Sequence, residues 1–179
     1  LITLNMDKKE LETPVIFVAG ILEKIEGNVK KIFLQTRWKP ENSPQYSGLF
    51  EIPGGRIDSY ENVFDAIVRE VKEECGLKIT AFRNSFQEES FKVNQFEQTM
   101  IFQPFMCQQV LNKNDGKLWF GFIFLCEVEG KPIMQKGETK NPQWVSLEEL
   151  EKLLSEQPDK IFPHQFQALK YYVESMKQK

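Results

Sequence analysis

Histidine occurs once and cysteine three times in this chain of 179 residues. Cys75, Cys107 and Cys126 form an odd set with no C-x-x-C spacing. Neither a disulfide framework nor a zinc site is expected from them, and a reducing, cytoplasmic compartment is the natural expectation. His164, alone, cannot build a metal site; near the start of a tail helix it reads as a capping or packing residue. An excess of basic charge is also missing, with 23 Lys and Arg against 26 Asp and Glu and a formal net charge of −3. That balance gives no footprint for wrapping DNA or RNA, whose binders carry a basic domain. An anionic small substrate stays open, because a bound cation inverts the local field. No apolar run approaches the roughly 20 residues that span a bilayer, so no membrane partner is expected. Val15–Leu22 is too short, and the first residues lack a basic leader followed by a small-residue cleavage site. Internal repeats, low-complexity tracts and interdomain linkers are absent as well.

What is present fits one globular domain spanning residues 1–179, with 1–13 as a loose, polar lead-in. At this length a fold buries roughly 70% of the surface of its extended chain, and 41% hydrophobic content with 15 Phe supplies a core. Val15–Leu22 and Lys31–Thr36 read as strands around the turn Glu26-Gly27-Asn28. A Pro-bearing loop from Arg37 to Gly48 follows, and the apolar run Leu49–Ile52 stops at Pro53-Gly54-Gly55, where a tight turn is expected. Over 62–75, the residues Val63, Phe64, Ile67, Val68, Val71 and Cys75 share one arc at about 100° per residue, the mark of an amphipathic helix. Gly76 stands at its left-handed C-cap position. Strands are expected over Leu77–Phe82, Met100–Val110 and Leu118–Val128, with a turn at Asn112–Gly116 between the last two. Asn141-Pro142 should break the chain before a short extended piece, Gln143–Val145. Ser146 with Glu149 reads as a capping box opening a helix to about Leu154, and a last helix is expected from about Pro163 to Met176. Strands outnumbering helices, with helices in the middle and at the end, point to an α+β (broadly α/β) fold whose mixed sheet packs between helices.

Within this frame one segment stands out: Gly55-x5-Glu61-x7-Arg69-Glu70-Val71-x-Glu73-Glu74-x-Gly76-Leu77. Glu70, Glu73 and Glu74 lie three and four apart, so all three carboxylates share one flank of the helix, beside the apolar arc. Like charges at those spacings destabilise a helix by a few tenths of a kcal/mol per pair, and desolvation at the edge of a buried face adds to the cost. A hard cation resolves the conflict, because magnesium takes oxygen ligands and works with one or two carboxylates plus waters and substrate phosphates. A bare E-x-x-E-E is usually a solvated helix face, as the run Glu148–Glu151 is read. Seven fixed residue types at fixed spacing, each at an average usage of about 6%, are however far beyond chance in a chain of this length.

The segment resembles the Nudix box at every defined position, aliphatic sites Val71 and Leu77 included. The surrounding order, strand, Pro-Gly-Gly turn, box helix, further strands, Trp144-Val145 and closing helix, is similar to the family's αβα sandwich. The resemblance implies metal binding by Glu73 and Glu74, with Glu70 either a ligand or the group that activates water. It implies a backbone carbonyl ligand from Gly54 or Gly55, Arg69 holding the glutamates, and Glu61 bracing the junction of loop and helix. The reaction it implies is attack of water on phosphorus in the pyrophosphate linkage of a nucleoside diphosphate joined to a group X, with Mg2+ or Mn2+. Glu138, six residues before Trp144, would be a further ligand or the base, with Glu127 and Glu129 as rivals on the preceding strand end.

Outside the box, Arg37 closes the second strand and is placed to fork a substrate phosphate, unless it is an ordinary surface arginine. Arg56, beside Gly55, is a second candidate contact. Trp38, Tyr46, Trp119 and Phe120 are candidates to stack a base, although aromatic residues in a Phe-rich chain are more often core. The family's proline marker for ADP-ribose and tyrosine marker for dinucleoside polyphosphates are both missing: 92–95 reads Lys-Val-Asn-Gln and the next proline is Pro104. Leu34-Gln35-Thr36-Arg37 leads into a loop unlike the coenzyme A signature. A small-molecule nucleotide is therefore the expected partner, X is unassigned, and a homodimer is left open. A nucleotide-sensing module without catalysis would be expected to have lost box carboxylates, and none is missing. Prenyl diphosphate isomerisation on the same fold needs a pocket cysteine, and neither Cys75 on the apolar arc nor Cys107 in a strand is an obvious one.

Overall fold

A computed structural model describes residues 13–83, 86–87, 91–94, 97–113 and 116–178. The elements run β1 (Val15–Glu26), β2 (Val29–Arg37), β3 (Phe50–Glu51), β4 (Gly54–Arg56), α1 (Val63–Cys75), β5 (Lys78–Arg83), β6 (Phe86–Gln87), β7 (Phe91–Lys92), β8 (Gln98–Thr99), β9 (Phe102–Gln103), β10 (Met106–Leu111), β11 (Leu118–Glu129), β12 (Thr139–Ser146), α2 (Leu147–Glu156) and α3 (Pro163–Lys177). Most of the expected lead-in, residues 114–115 of the expected turn and Gln95 lie outside the described residues.

Period-two alternation in the long strands decides the layers. Ala19, Ile21, Ile32, Leu34, Ile123 and Leu125 face α2 and α3, meeting Leu150, Leu169 and Tyr172. Their neighbours Val18, Leu22, Phe33, Phe124 and Cys126 face α1, meeting Phe64, Ile67 and Val71. The result is the expected αβα sandwich. Its sheet has the spine β10-β11-β1-β2-β12, with β5, β4 and β3 hydrogen-bonded to β11, β1 and β2. Parallel pairing joins β1 to β11, whereas β1–β2 and β2–β12 are antiparallel, so the sheet is mixed.

One irregularity of this sheet positions the site. β1 and β2 pair only through Glu23–Glu26 against Val29–Ile32. Beyond that, β1 takes β4 as partner across Phe17–Ala19, and β2 takes β3 across Gln35–Thr36. The two long strands therefore splay, and a cleft opens in the crotch between them. The Pro53-Gly54-Gly55 turn crosses its base, with the Gly20 N–H donating to the Pro53 carbonyl at 2.9 Å.

Three local expectations change. Val68 is 42% exposed and Ala66 takes its place in the core. At about 100° per residue the buried arc centres between Val63 and Val71, which leaves Val68 at its margin and brings Glu74 inside it. Asn141-Pro142 does not break the chain but forms a bulge within β12, with Asn141 at φ 50° and the register shifting between Lys140 and Gln143. Proline has no N–H for the ladder, and a bulge is where a strand tolerates that. The single strand expected over Met100–Val110 is divided, with Pro104 between β9 and β10. Both ends of α1 follow the sequence: the Asn62 side chain accepts from the Phe64 and Asp65 N–H groups, and Gly76 at φ 67° closes the helix.

Candidate active site

The cleft between β1 and β2 has a volume of about 670 Å3 and two chemically distinct ends. Its acidic end is built on α1 and the Pro-Gly-Gly turn. Glu74 is 3% exposed, and its Oε2 accepts hydrogen bonds from the Gln35 amide at 2.8 Å and the Gly54 N–H at 3.1 Å. Its backbone carbonyl accepts from Thr139 Oγ1 at 2.7 Å and the Gln135 N–H at 3.1 Å, which ties α1 to the segment entering β12. Gly54 and Gly55 are required by close approach rather than by backbone conformation. A Cβ on Gly54 would stand 2.3 Å from the Val18 carbonyl oxygen, and one on Gly55 2.3 Å from Glu70 Oε1.

Arg69 organises the adjoining flank. It grips Glu61 bidentately at 2.8 Å through both Nε and Nη2, donates from Nη1 to Glu70 at 2.7 Å and Glu73 at 3.4 Å, and from Nη2 to the Arg56 carbonyl at 3.0 Å. Glu61 in turn accepts from the Asp58 N–H at 3.0 Å. This guanidinium bond holds the Glu61 carboxyl below the usual range.

Three cations face these acids. Alternation along the end of β2 and the residues after it turns Gln35, Arg37 and Lys39 inward. Lys39 reaches Glu138 at 2.7 Å and Glu74 at 4.0 Å. Arg37 donates to buried Glu51 at 3.1 Å and to Ser43 at 3.2 Å, and Arg56 lines the opposite wall. At the other end four half-buried aromatic rings, Tyr46, Trp119, Phe162 and His164, line the same cleft.

Of the substrate-contact candidates, Arg37, Arg56, Trp119 and Tyr46 line this cleft. Trp38 and Phe120 do not line it. Trp38, between Arg37 and Lys39, is turned away and carries the Lys140 ammonium over its ring. Phe120 is one residue out of phase with Trp119, on the strand face that carries Phe122 and Phe124. Glu127 and Glu129 are drawn to Arg83 and Lys78 where β11 meets β5, outside the lining. Glu138 lies in the lining, and Cys75, Cys107 and Cys126 do not. Gln35, Lys39, Glu51 and Phe162 were not legible as site residues. Alternation from Arg37 gives a signal for Gln35 and Lys39; for Glu51 and Phe162, contributed by β3 and the turn into α3, there is none.

The donor set fits a hard divalent cation. It consists only of oxygen, from carboxylates and peptide carbonyls, and the Gly54-Gly55 cradle leaves no room for a side chain beside Glu70. Among the described residues no three His, Cys, Asp or Glu groups stand close enough to enclose a metal. Magnesium asks for less, since it keeps waters and takes one or two protein carboxylates with substrate phosphates. Glu70, Glu73 and Glu74 are the box carboxylates that line the cleft and could supply such ligands.

Burial dominates the electrostatics. It pushes the Glu74 carboxyl up to about 8, helped by the neighbouring Glu51 charge. Burial also raises Glu51 against the pull of Arg37, and raises Glu70 against the pull of Arg69. For an acid the sign is definite: the folded protein holds its proton more tightly than the unfolded chain. Its contribution to stability is complete below about pH 4.5, the ordinary carboxyl value, and is lost as pH rises through about 8. Metal-free protein is therefore expected to lose thermal stability between pH 5.5 and 8.5. Mg2+ should restore it, with the larger rise in Tm at pH 8.5 because the cation replaces a proton. Scanning calorimetry in EDTA and in Mg2+ at the two pH values checks both signs; a larger Mg2+ shift at pH 5.5 would contradict them.

The NUDIX domain family model matches residues 16–165 of this chain. The chain belongs to the Nudix family. An "ADP-ribose pyrophosphatase" of Methanocaldococcus jannaschii is 44% identical over 64 residues, a stretch covering 36% of this chain and 33% of that protein. The match thus spans about a third of that relative's length. Among solved structures, a MutT protein from Methanosarcina mazei superposes with TM-score 0.61 at 20% identity, covering 94% of this chain and 99% of that one. The Nudix domain of Shewanella oneidensis NrtR, complexed with ADP ribose, superposes with TM-score 0.62 at 14% identity, over 96% and 94%. At these identities the likeness is one of fold. No helix among the described residues is long and apolar enough to cross a membrane.

Proposed function

We propose that this Nudix protein is a Mg2+- or Mn2+-dependent pyrophosphohydrolase that cleaves a nucleoside diphosphate joined to a group X, by attack of water on phosphorus. The observation that carries this is the cleft's acidic end, where the box carboxylates face three cations across the Gly54-Gly55 turn. When bound, the cation offsets charge on the two phosphates. Arg37, Lys39 and Arg56 hold the remaining phosphate oxygens, the arginines as forks and the lysine as a point charge. Glu70 accepts the proton of the attacking water: burial raises its carboxyl above the usual range against the pull of Arg69, and the Arg69 guanidinium fixes it at 2.7 Å. Glu138 competes for this role, although its pairing with Lys39 at 2.7 Å favours orienting the lysine. We read residues 1–179 as one Nudix domain, working in the cytoplasm.

The ADP-ribose pyrophosphatase relative and the ADP-ribose complex of the NrtR domain support a nucleoside diphosphate sugar as the first substrate to try. The test is a product screen over nucleotide sugars, ADP-ribose, dNTPs and dinucleoside polyphosphates with Mg2+ and with Mn2+. Release of a nucleoside monophosphate from at least one of them, abolished by EDTA, is expected. Tight nucleotide binding with no product from any of them would instead make the protein a binding module.

A further inference from the structure

We infer that Gln35 is a positioning residue for the divalent cation: its neutral amide fixes one oxygen of Glu74 and leaves the other, with the carboxylate's charge, for the metal. Both hydrogen bonds to this carboxylate land on Oε2, from the Gln35 amide at 2.8 Å and the Gly54 N–H at 3.1 Å. Oε1 is left on the cleft side, with the Lys39 ammonium 4.0 Å away. A carboxylate tied through one oxygen by uncharged donors keeps its orientation and still offers the kind of oxygen that magnesium takes. The other box acids are held differently. Arg69 donates to Glu61, Glu70 and Glu73, so a guanidinium already counters part of their charge. Glu74 is gripped instead by an amide and a peptide N–H.

Two further observations tie the amide to Glu74 rather than to packing. Gln35 is wholly buried, and its own Oε1 has no hydrogen-bond partner. Burying an amide with an unmet acceptor is costly, and a leucine or methionine would fill the same space without that cost. Its neighbours on β2, Phe33 and Leu34, are apolar, as a buried stretch prefers. Gln35 also stands directly opposite Glu51 in the pairing of β2 with β3, so the two side chains share one face of the sheet. Glu51 is committed through Oε2 to Arg37 at 3.1 Å, and its Oε1 is buried without a partner. The amide therefore adjoins two buried carboxylates, one bonded to an arginine and one turned to the cation. A charged side chain at position 35 would upset this division. A lysine would counter Glu74 in place of the metal, and a glutamate would repel it at close range. A neutral donor holds Glu74 in place and keeps its charge available.

The inference rests on the hydrolase reading only for Glu74 as a cation ligand, and it is tested by metal binding without turnover. The metal-free full chain is titrated with Mn2+, the free ion being read by electron paramagnetic resonance, and each protein is also melted without metal. Gln35→Met removes the donor at nearly constant volume. It should weaken Mn2+ binding by about 10- to 100-fold, the loss typical when a group that orients a metal ligand is removed. Gln35→Lys keeps a donor and supplies the charge that the amide withholds. Without metal it should melt no lower than Gln35→Met, yet it should bind Mn2+ more weakly still. A residue that only packs would not invert the two orders, because stability and affinity would fall together. Parental Mn2+ affinity in folded Gln35→Met overturns the inference, as does affinity that merely follows Tm across the variants, or failure of both to fold. If Gln35→Met alone fails to fold, Gln35→Lys decides: a folded variant that has lost Mn2+ supports the inference, and one that retains it does not. A parent that binds Mn2+ but releases no product keeps the role of Gln35 and loses the hydrolase reading. A parent that turns over substrate, with Mn2+ affinity unchanged in Gln35→Met, does the reverse, and a parent that binds no Mn2+ defeats both.

Discussion

Glu74→Gln is expected to lower kcat by about 10²–10³-fold, the loss typical of removing one preorganised electrostatic group from a reacting centre. The substitution changes charge with little change in shape. Glu74 is almost wholly buried, and its carboxylate is held by Gln35 and the Gly54 N–H. An amide oxygen can still accept from these donors, so the turn should keep its place. The metal-free variant should be at least as stable as the parent at pH 8.5, because an amide carries none of the buried charge that Glu51 opposes. The rise in Tm on adding Mg2+ should largely disappear. Steady-state kinetics on whichever substrate the screen finds, with calorimetry of both proteins, give the two readouts. Parental kcat at saturating Mg2+ would remove Glu74 from the catalytic centre. Reduced kcat with an unchanged Mg2+ shift would leave it a positioning role alone.

The box acids and the amphipathic arc were legible because helical periodicity places residues from spacing alone. At about 100° per residue Glu74 falls between Val63 and Ile67, so its burial was legible in the spacing although all three acids were read as lying beside the arc. Strand alternation from Arg37 carries an unused signal for Gln35 and Lys39, and the same rule shows why Trp38 and Phe120 lie outside the cleft. Glu51 and Phe162 were illegible for another reason. Glu51 reaches the site because β3 pairs with β2 across Gln35–Thr36, and Phe162 because α3 is hydrogen-bonded to β3. Both are tertiary pairings between segments far apart in sequence, and no local pattern encodes them. The Asn141-Pro142 bulge illustrates the converse, in which a correct local signal for irregularity is absorbed into a strand by its partner β2.

The adjacent glycines of the turn are expected to fail in different ways when each is changed to alanine. At Gly54 the added Cβ would stand 2.3 Å from the Val18 carbonyl oxygen and 2.7 Å from the Ala19 Cα. Both atoms are backbone, fixed by the pairing of β1 with β4 and with β11, so neither can yield without loosening the sheet. Overpacking against groups that cannot move costs about 3 kcal/mol or more, which lowers Tm by roughly 6–12 °C in a domain of this size. At Gly55 the nearest atoms belong instead to the Glu70 carboxylate, at 2.3–2.5 Å. A side-chain end can swing away, so Gly55→Ala should keep its Tm within roughly 4 °C of the parent. That swing breaks the alignment of Glu70 with Arg69, and a displacement of about 1 Å at a reacting group can lower the rate about 10²-fold. Thermal melts of the two variants, read beside kcat, separate the cases: stability lost at Gly54, catalysis lost with the fold intact at Gly55. Normal kcat in Gly55→Ala would show that Glu70 does not work from its position beside the turn, and the base would then be sought at Glu138.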